Sequence, residues 1–376
     1  MNNTSTNTTS WSTNTQGGDN KPHVMLQILF GFIALLAFCG NGLLCVVILR
    51  RRRFLRSSYN LVIFSLAVTD MLTGLFIAGT PGYIIGLSSY PVPSGIGGEM
   101  FCRLISTQYF VFVFGKVSVL TIVALALERW YSVVKPIEYK IKFTRKRIYI
   151  YVAIIWLISV IANGSKPIKA KLSESSLRCT WSKMPYPKNI FIPSYTTVTF
   201  FIPTAITWLS FLHVGRVLKR SPAEQNVRFR NTRKKLTRMC AIVAFLLTMN
   251  WLPNQVFYTL SAFDITKAET PLHHFTIVLA MFNSCVNPWI CYFTNREYQK
   301  GFRQLLCFGC KKVHFRARQS HFYSIAGGSE LSDVTSGTDL SDGVLHVLSF
   351  KYINSGFTTD NKVNNVEMKL NSYSTS

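Results

Sequence analysis

The sequence predicts an all-α membrane protein: a bundle of seven transmembrane helices with a short amphipathic helix after the seventh. Three observations carry this. The 376 residues are 48% hydrophobic and only 15% charged, where a soluble protein carries about a quarter charged residues. Seven stretches stay apolar over roughly 20 residues, the length that crosses a bilayer. Lysine and arginine collect after the first, third, fifth and seventh of these stretches.

The spans read as 25–49, 59–87, 101–134, 148–162, 190–218, 239–263 and 272–293. Arg50 to Arg53 and Arg56 follow the first. Lys140, Lys142, Arg145, Lys146 and Arg147 follow the third. Arg228, Arg230, Arg233, Lys234, Lys235 and Arg238 follow the fifth, and Arg296, Lys300, Arg303, Lys311 and Lys312 the seventh. An alternating chain puts all four clusters on one side, and cytosolic loops are the positive ones, so the amino terminus is expected outside. The net charge of +25 does not indicate nucleic acid, because the basic residues form short clusters between apolar runs and build no nucleic-acid module.

Residues 1–23 are expected to be a disordered outer tail. It lacks a basic start and an apolar core, so the first span is expected to act as an uncleaved insertion signal. Asn2, Asn3 and Asn7 each open an Asn-x-Ser/Thr triplet there and are candidate glycosylation sites, although so Asn- and Thr-rich a segment makes such triplets easily.

The first span carries Gly40-Asn41 and the second Leu66-Ala67 with Asp70. A carboxylate deep in an apolar helix needs partners. Asn41, Ser118, Asn283, Ser284 and Asn287 are the oxygen-bearing candidates at mid-span. Such a set either holds a small cation with water or forms a packed polar network without one.

The third span is expected to be the central helix, because it contains Lys116 in its middle and Glu128-Arg129-Trp130 at its inner end. Charges at membrane depth face a protein interior or a cavity. Five of the nine cysteines lie inside spans, and Cys307 and Cys310 are cytosolic, where disulfides are rare. Cys102 and Cys179 alone share the oxidising face and are expected to pair, tying the third span to the loop after the fourth.

Taken together, Gly40-Asn41, Leu66-Ala67 with Asp70, Glu128-Arg129-Trp130, Trp156, Pro203, Trp251-Leu252-Pro253 and Asn287-Pro288 resemble the rhodopsin-like (class A) G protein-coupled receptors. They occur in that family's order and in the matching spans, over residues 24–310. The resemblance implies an extracellular ligand, a heterotrimeric G protein and arrestin as partners, and residence in the plasma membrane. It implies that Asp70, Ser118, Asn283, Ser284 and Asn287 form a sodium pocket; no other cofactor is expected. It implies that Glu128, Arg129, Trp130, Trp251, Pro253, Asn287 and Pro288 serve coupling and activation, and that Gln108, Val111, Lys116, Trp251 and Gln255 contact ligand. The prolines of spans five to seven remove backbone hydrogen bonds and make pivots.

Departures from the family pattern carry expectations of their own. Cys102 stands two residues farther from Arg129 than is usual, so the top of the third helix is expected to be shifted or bulged. Phe211 and Cys291 stand where the family has tyrosines, and the entry to the sixth span, through Arg233 to Arg238, offers Arg129 no carboxylate. Glu128 is then its nearest acid. Both end states are expected to be weakly held, with measurable basal signalling, unless water and Trp130 replace the missing contacts.

Lys116 lies about 200° around the helix from Ser118 and points towards spans four and five. It either receives an anionic ligand group or is a neutral or hydrated lysine bonded to Asn163, Thr196, Thr197 or Thr199, the reading preferred here. Val111 stands where amine receptors carry an aspartate, and Met281 where opsins carry their retinal-linking lysine, so neither an amine nor light is the expected stimulus. Asn254-Gln255 is similar to galanin- and allatostatin-type neuropeptide receptors, which favours a peptide ligand. A lipid or other small anionic ligand is the alternative. In another class, a multi-span transporter would require internal repeats or matched broken helices. An intramembrane enzyme would require a nucleophile with its base, or a metal cluster, and the seven histidines supply neither.

After span seven, basic residues alternate with Tyr298, Phe302, Leu305 and Leu306, as in an amphipathic helix lying on the inner leaflet. Cys307 and Cys310 are candidates for palmitoylation. The segment 311–376 is expected to be a disordered cytosolic tail, in which Ser329, Ser332 and Thr335 have the spacing of phosphosites that recruit arrestin in the family.

Overall fold

The computed structural model describes residues 21–85, 91–173, 177–182, 186–220, 227–267 and 270–306. The expected glycosylation, palmitoylation and phosphorylation sites lie outside these residues.

Among the described residues, seven helical segments are long and apolar enough to cross a membrane. The first two are α1 (Lys21–Leu49) and α3 (Ser58–Gly79), joined through the single turn α2 (Arg52–Leu55). The third comprises α4 (Gly95–Met100), a π-helical stretch Phe101–Ser106 and α5 (Tyr109–Val134); α6 (Pro136–Lys142) follows on the basic side. The fourth is α7 (Arg145–Ala162) with α8 (Ser165–Lys169), leading into the hairpin β1 (Ala170–Ser173) and β2 (Arg178–Trp181). The fifth is α9 (Lys188–Thr196), a π-helical stretch Thr197–Phe201 and α10 (Ile202–Arg220). The sixth is α11 (Val227–Ser261), the seventh α12 (Pro271–Thr294), and α13 (Arg296–Leu306) follows.

The third span is central: 67% of its most apolar stretch is buried, against 17% for the fourth. It packs on α3, α7, α10 and α11, while α1 closes against α3 and α12. The close approach of α1 and α3 depends on Gly74, where a Cβ would come within 2.7 Å of the Ala34 carbonyl oxygen. In hydrocarbon, where apolar surface has no water to escape, such close backbone packing is a main source of helix association.

Three local features were not foreseen, or were foreseen only in part. The second span stops at Gly79 rather than near residue 87. Pro81 disfavours helical backbone at Thr80, whose ψ is 131°, and so ends the helix. The top of the third span is bulged, as the spacing of Cys102 suggested. Its π-helical turn is followed by Gln108 at φ 57°, and together they take up the surplus residues before α5 begins. The hairpin had no counterpart in the sequence reading. It pairs Leu172 with Cys179 in antiparallel register, and Cys179 is bonded to Cys102 with Cα atoms 5.3 Å apart. Glu99 fastens it further by accepting from the Leu172 N–H at 2.7 Å.

The prolines act as the missing donor requires. Pro288 frees the Ser284 carbonyl from its helical partner, and the Asn41 amide of α1 donates to that oxygen at 2.7 Å. Pro203 lies just after the π-helical stretch of span five, where a widened turn absorbs the lost bond. In α13 the apolar side faces inward: Tyr298 and Phe302 are buried while Arg296, Lys300 and Arg303 are exposed. The Tyr298 hydroxyl donates to Asn60 at 2.7 Å.

Candidate functional site

Polar side chains occur at three levels along the inside of the bundle. At the outer level is a cavity of about 380 Å³ between spans three, four, five and six. Its deep end is formed by Lys116 and Trp251, its wall by Tyr195, Asn254, Gln255 and Tyr258, and its rim by Trp181 and Ser182 at the end of the hairpin. The Lys116 ammonium donates to Thr199 at 2.9 Å and lies 5.1 Å from the Tyr195 ring centroid. It is therefore bonded to a threonine of span five, as in the preferred reading of the sequence, and is also part of the cavity lining.

Gln108 and Val111 do not line this cavity. The left-handed backbone at Gln108 turns its side chain to Tyr83, whose hydroxyl donates to it at 3.0 Å. Val111, 1% exposed, packs into the hydrophobic core. Phe112, one position on, lines the cavity in its place. A one-residue error on a helix is a rotation of about 100°, and the bulge above α5 had hidden which face looks into the pocket.

Beneath the cavity the Trp251 ring lies against Gly115, where a Cβ would overlap the far edge of the indole. Gly115→Val is expected to push Trp251 out of place and destabilise the protein by about 1–3 kcal/mol, as overpacking does in a filled core. Trp251→Phe should restore part of the loss, and a double-mutant cycle of melting temperatures would measure the coupling. Additive effects would show that the two residues do not share this space.

At the middle level Asp70 is fully buried. Its carboxylate accepts from Asn287 at 2.6 Å and from Ser118 at 3.4 Å, and from the Ser284 hydroxyl. Asn283 is buried nearby but is not bonded to Asp70 among the described residues. No lysine or arginine among the described residues pairs with this carboxyl group, which meets only the neutral donors of Asn287, Ser118 and Ser284.

At the inner level Glu128 and Arg129 form a two-pronged pair. Arg129 Nη2 donates to Glu128 Oε1 at 2.5 Å, and its Nε donates to Oε2. Glu128 is 0% and Arg129 5% exposed. The guanidinium also lies 4.7 Å from the Tyr59 ring centroid. Tyr139 of α6 adds a third donor to Glu128 at 2.7 Å. Burial, and next the Glu128 carboxylate, raise its phenol above the ordinary range, so it stays protonated and donates. Sequence reasoning missed Tyr139 and Tyr59, for which a lone tyrosine beside a basic loop is no signal. Trp130 bonds across to span five, its indole donating to His213 at 3.0 Å.

The description "7 transmembrane receptor (rhodopsin family)" matches residues 40–291, an interval that contains all three levels. The chain belongs to that family. It is a class A G protein-coupled receptor, a signalling protein rather than an enzyme. Among curated relatives, this receptor is 28% identical to the allatostatin-A receptor of Bombyx mori over 75% of its own length and 79% of the relative's. It is 26% identical to galanin receptor type 2 of Homo sapiens, covering 78% and 75% of the two chains. It is also 26% identical to neuropeptide FF receptor 2 of Rattus norvegicus, covering 85% and 80%.

Proposed function

We propose that this receptor resides in the plasma membrane with its amino terminus outside, binds an extracellular peptide in the outer cavity and activates a heterotrimeric G protein through the inner face around Arg129. The observation that carries the ligand class is the combination of that hairpin-rimmed cavity with relatives whose names are those of neuropeptide receptors. A cavity about 380 Å³ deep inside the bundle has room for the tip of a peptide, with the rest lying over Trp181 and the hairpin. Lys116, Trp251 and Gln255 are its proposed contacts.

In this reading Trp251 and Gly115 couple the cavity to the levels below, and the pivots at Pro253 and Pro288 let spans six and seven move. Opening the Glu128–Arg129 pair makes the guanidinium available to a G protein. Arrestin and the lipids of the inner leaflet, against α13, are further proposed partners. The middle level suits a sodium ion: Asp70 is a buried carboxylate without a cationic partner among the described residues, surrounded by the hard oxygens of Ser118 and Ser284. Bound there, such an ion would supply the missing positive charge and favour the resting arrangement.

The test is a screen of peptide and lipid libraries against cells expressing the receptor, read by several G protein sensors. Activation by peptides supports the assignment. Activation by lipids alone overturns the ligand class and leaves the receptor class intact.

A further inference from the structure

We propose that the outer cavity is built to receive a carboxylate, held between Lys116 and Lys166, so that the activating peptide is an acidic one. This rests on the reading of the cavity as the peptide site and specifies its chemistry. Three lysines, Lys116, Lys166 and Lys169, line the cavity, and among the described residues no aspartate or glutamate does. The Lys166 ammonium is held over the Phe112 ring, 2.9 Å from its centroid, and lines the same cavity as Lys116. Lys169 lies 5.2 Å and 5.4 Å from the ring centroids of Tyr186 and Phe191. Aromatic faces thus hold the outer two ammonium groups in place without neutralising them.

Among the described residues, the acids on the outer side are engaged elsewhere. On the outer side, the carboxylates among the described residues are Glu99, which pairs with Arg103 at 2.6 Å, and Asp264, which pairs with Lys188 at 2.5 Å. Lys116 is 6% exposed and bonds a neutral hydroxyl, which leaves donors of its ammonium for another acceptor. Like charges gathered in a partly dry cavity are costly to keep unpaired. An arriving carboxylate removes that cost and gains charge-assisted hydrogen bonds, whereas an ammonium on a ligand would add to the repulsion. Acidic peptides are favoured by this arrangement and basic ones excluded.

Two linked experiments on the full-length receptor in lipid nanodiscs and in cells test the inference. In the first, the melting temperature is measured with N-acetyl-glutamate or N-acetyl-glutamine, each as its α-amide so that only the glutamate compound carries a carboxylate, or with sulfate or phosphate. Stabilisation by N-acetyl-glutamate alone, weakened roughly thirtyfold or more in apparent affinity by Lys116→Met and by Lys166→Gln and retained by Lys116→Arg, is the expected result. Equal shifts with the glutamine compound, shifts that persist in both variants, or equal shifts with sulfate and phosphate overturn it. Because Lys166 lies outside the packed core, its variant remains informative if Lys116→Met does not fold.

In the second, cells meet two peptide libraries that differ only in carrying Asp and Glu or Asn and Gln. Activation by the acidic set supports the inference. Activation by the neutral set alone overturns it while the peptide reading stands. If neither set activates and the N-acetyl-glutamate shift is intact, the anion site stands and the peptide reading falls.

Discussion

Replacing Glu128 with glutamine is expected to raise unliganded signalling by roughly a hundredfold in the equilibrium between resting and active states. Glu128 is fully buried and receives both prongs of Arg129 and the hydroxyl of Tyr139. Removing one partner of a buried pair costs about 3–5 kcal/mol, because the other charge is left desolvated and unpaired. About 3 kcal/mol corresponds to that factor. The cost falls on the arrangement in which Arg129 is folded back on its neighbour. An arrangement that turns the guanidinium towards the cytosol or a G protein escapes it. Tyr139→Phe removes one hydrogen bond to a charged group, about 1.5 kcal/mol, and should raise basal output less. The check is a titration of receptor expression against G protein sensor signal without ligand. Glu128→Gln indistinguishable from the parent at matched surface expression would show that this pair does not hold the resting state.

Replacing Cys179 with alanine is expected to produce the largest loss of stability. The bond to Cys102 closes a loop with a sequence separation of 77, and chain-entropy reasoning values such a loop at about 4 kcal/mol. Its loss also releases β2, which carries Trp181 at the cavity rim, from the top of the third span. The Glu99 contacts to Leu172 and Arg103 remain and should keep the hairpin partly docked. Lower surface expression and a clearly lower melting temperature are therefore expected, together with a wild-type receptor that becomes sensitive to reductant. If reductant leaves the wild type unaffected and the variant melts with it, the hairpin is held by Glu99 and Arg103 alone.

The sequence made the bundle legible because hydrocarbon leaves few options. Apolar length locates the helices, and positive loops orient them. A buried acid such as Asp70 must find donors, and Ser118, Ser284 and Asn287 were recognisable as such, whereas Asn283 is buried beside them without bonding the carboxylate. The pairing of Cys102 with Cys179 followed from compartment alone. What escaped was rotation and local backbone. The spacing of Cys102 announced a bulge, but nothing in residues 101–108 shows that it is a π-helical turn closed by a left-handed Gln108, and that turn decides that Phe112 rather than Val111 lines the cavity. The hairpin escaped because Ala170–Ser173 and Arg178–Trp181 are too short to show alternation, and Tyr139 because its partner lies on another element. Lys166 and Lys169 lie far from Lys116 in the sequence, and their convergence with it on one cavity depends on how α8 packs against the π-helical stretch Phe101–Ser106 above α5.

The central claim is that the inner level, built on Arg129, acts on a G protein. Its most direct test is GDP release from purified heterotrimers, measured with the unliganded receptor in nanodiscs across a panel of Gα subunits. At least one heterotrimer is expected to exchange nucleotide faster with the receptor than with empty nanodiscs, faster again with Glu128→Gln, and at the empty-nanodisc rate with Arg129→Ala, all compared at equal amounts of folded receptor. Exchange by Arg129→Ala equal to that of the parent, or no acceleration by any of the three receptors, would contradict the claim.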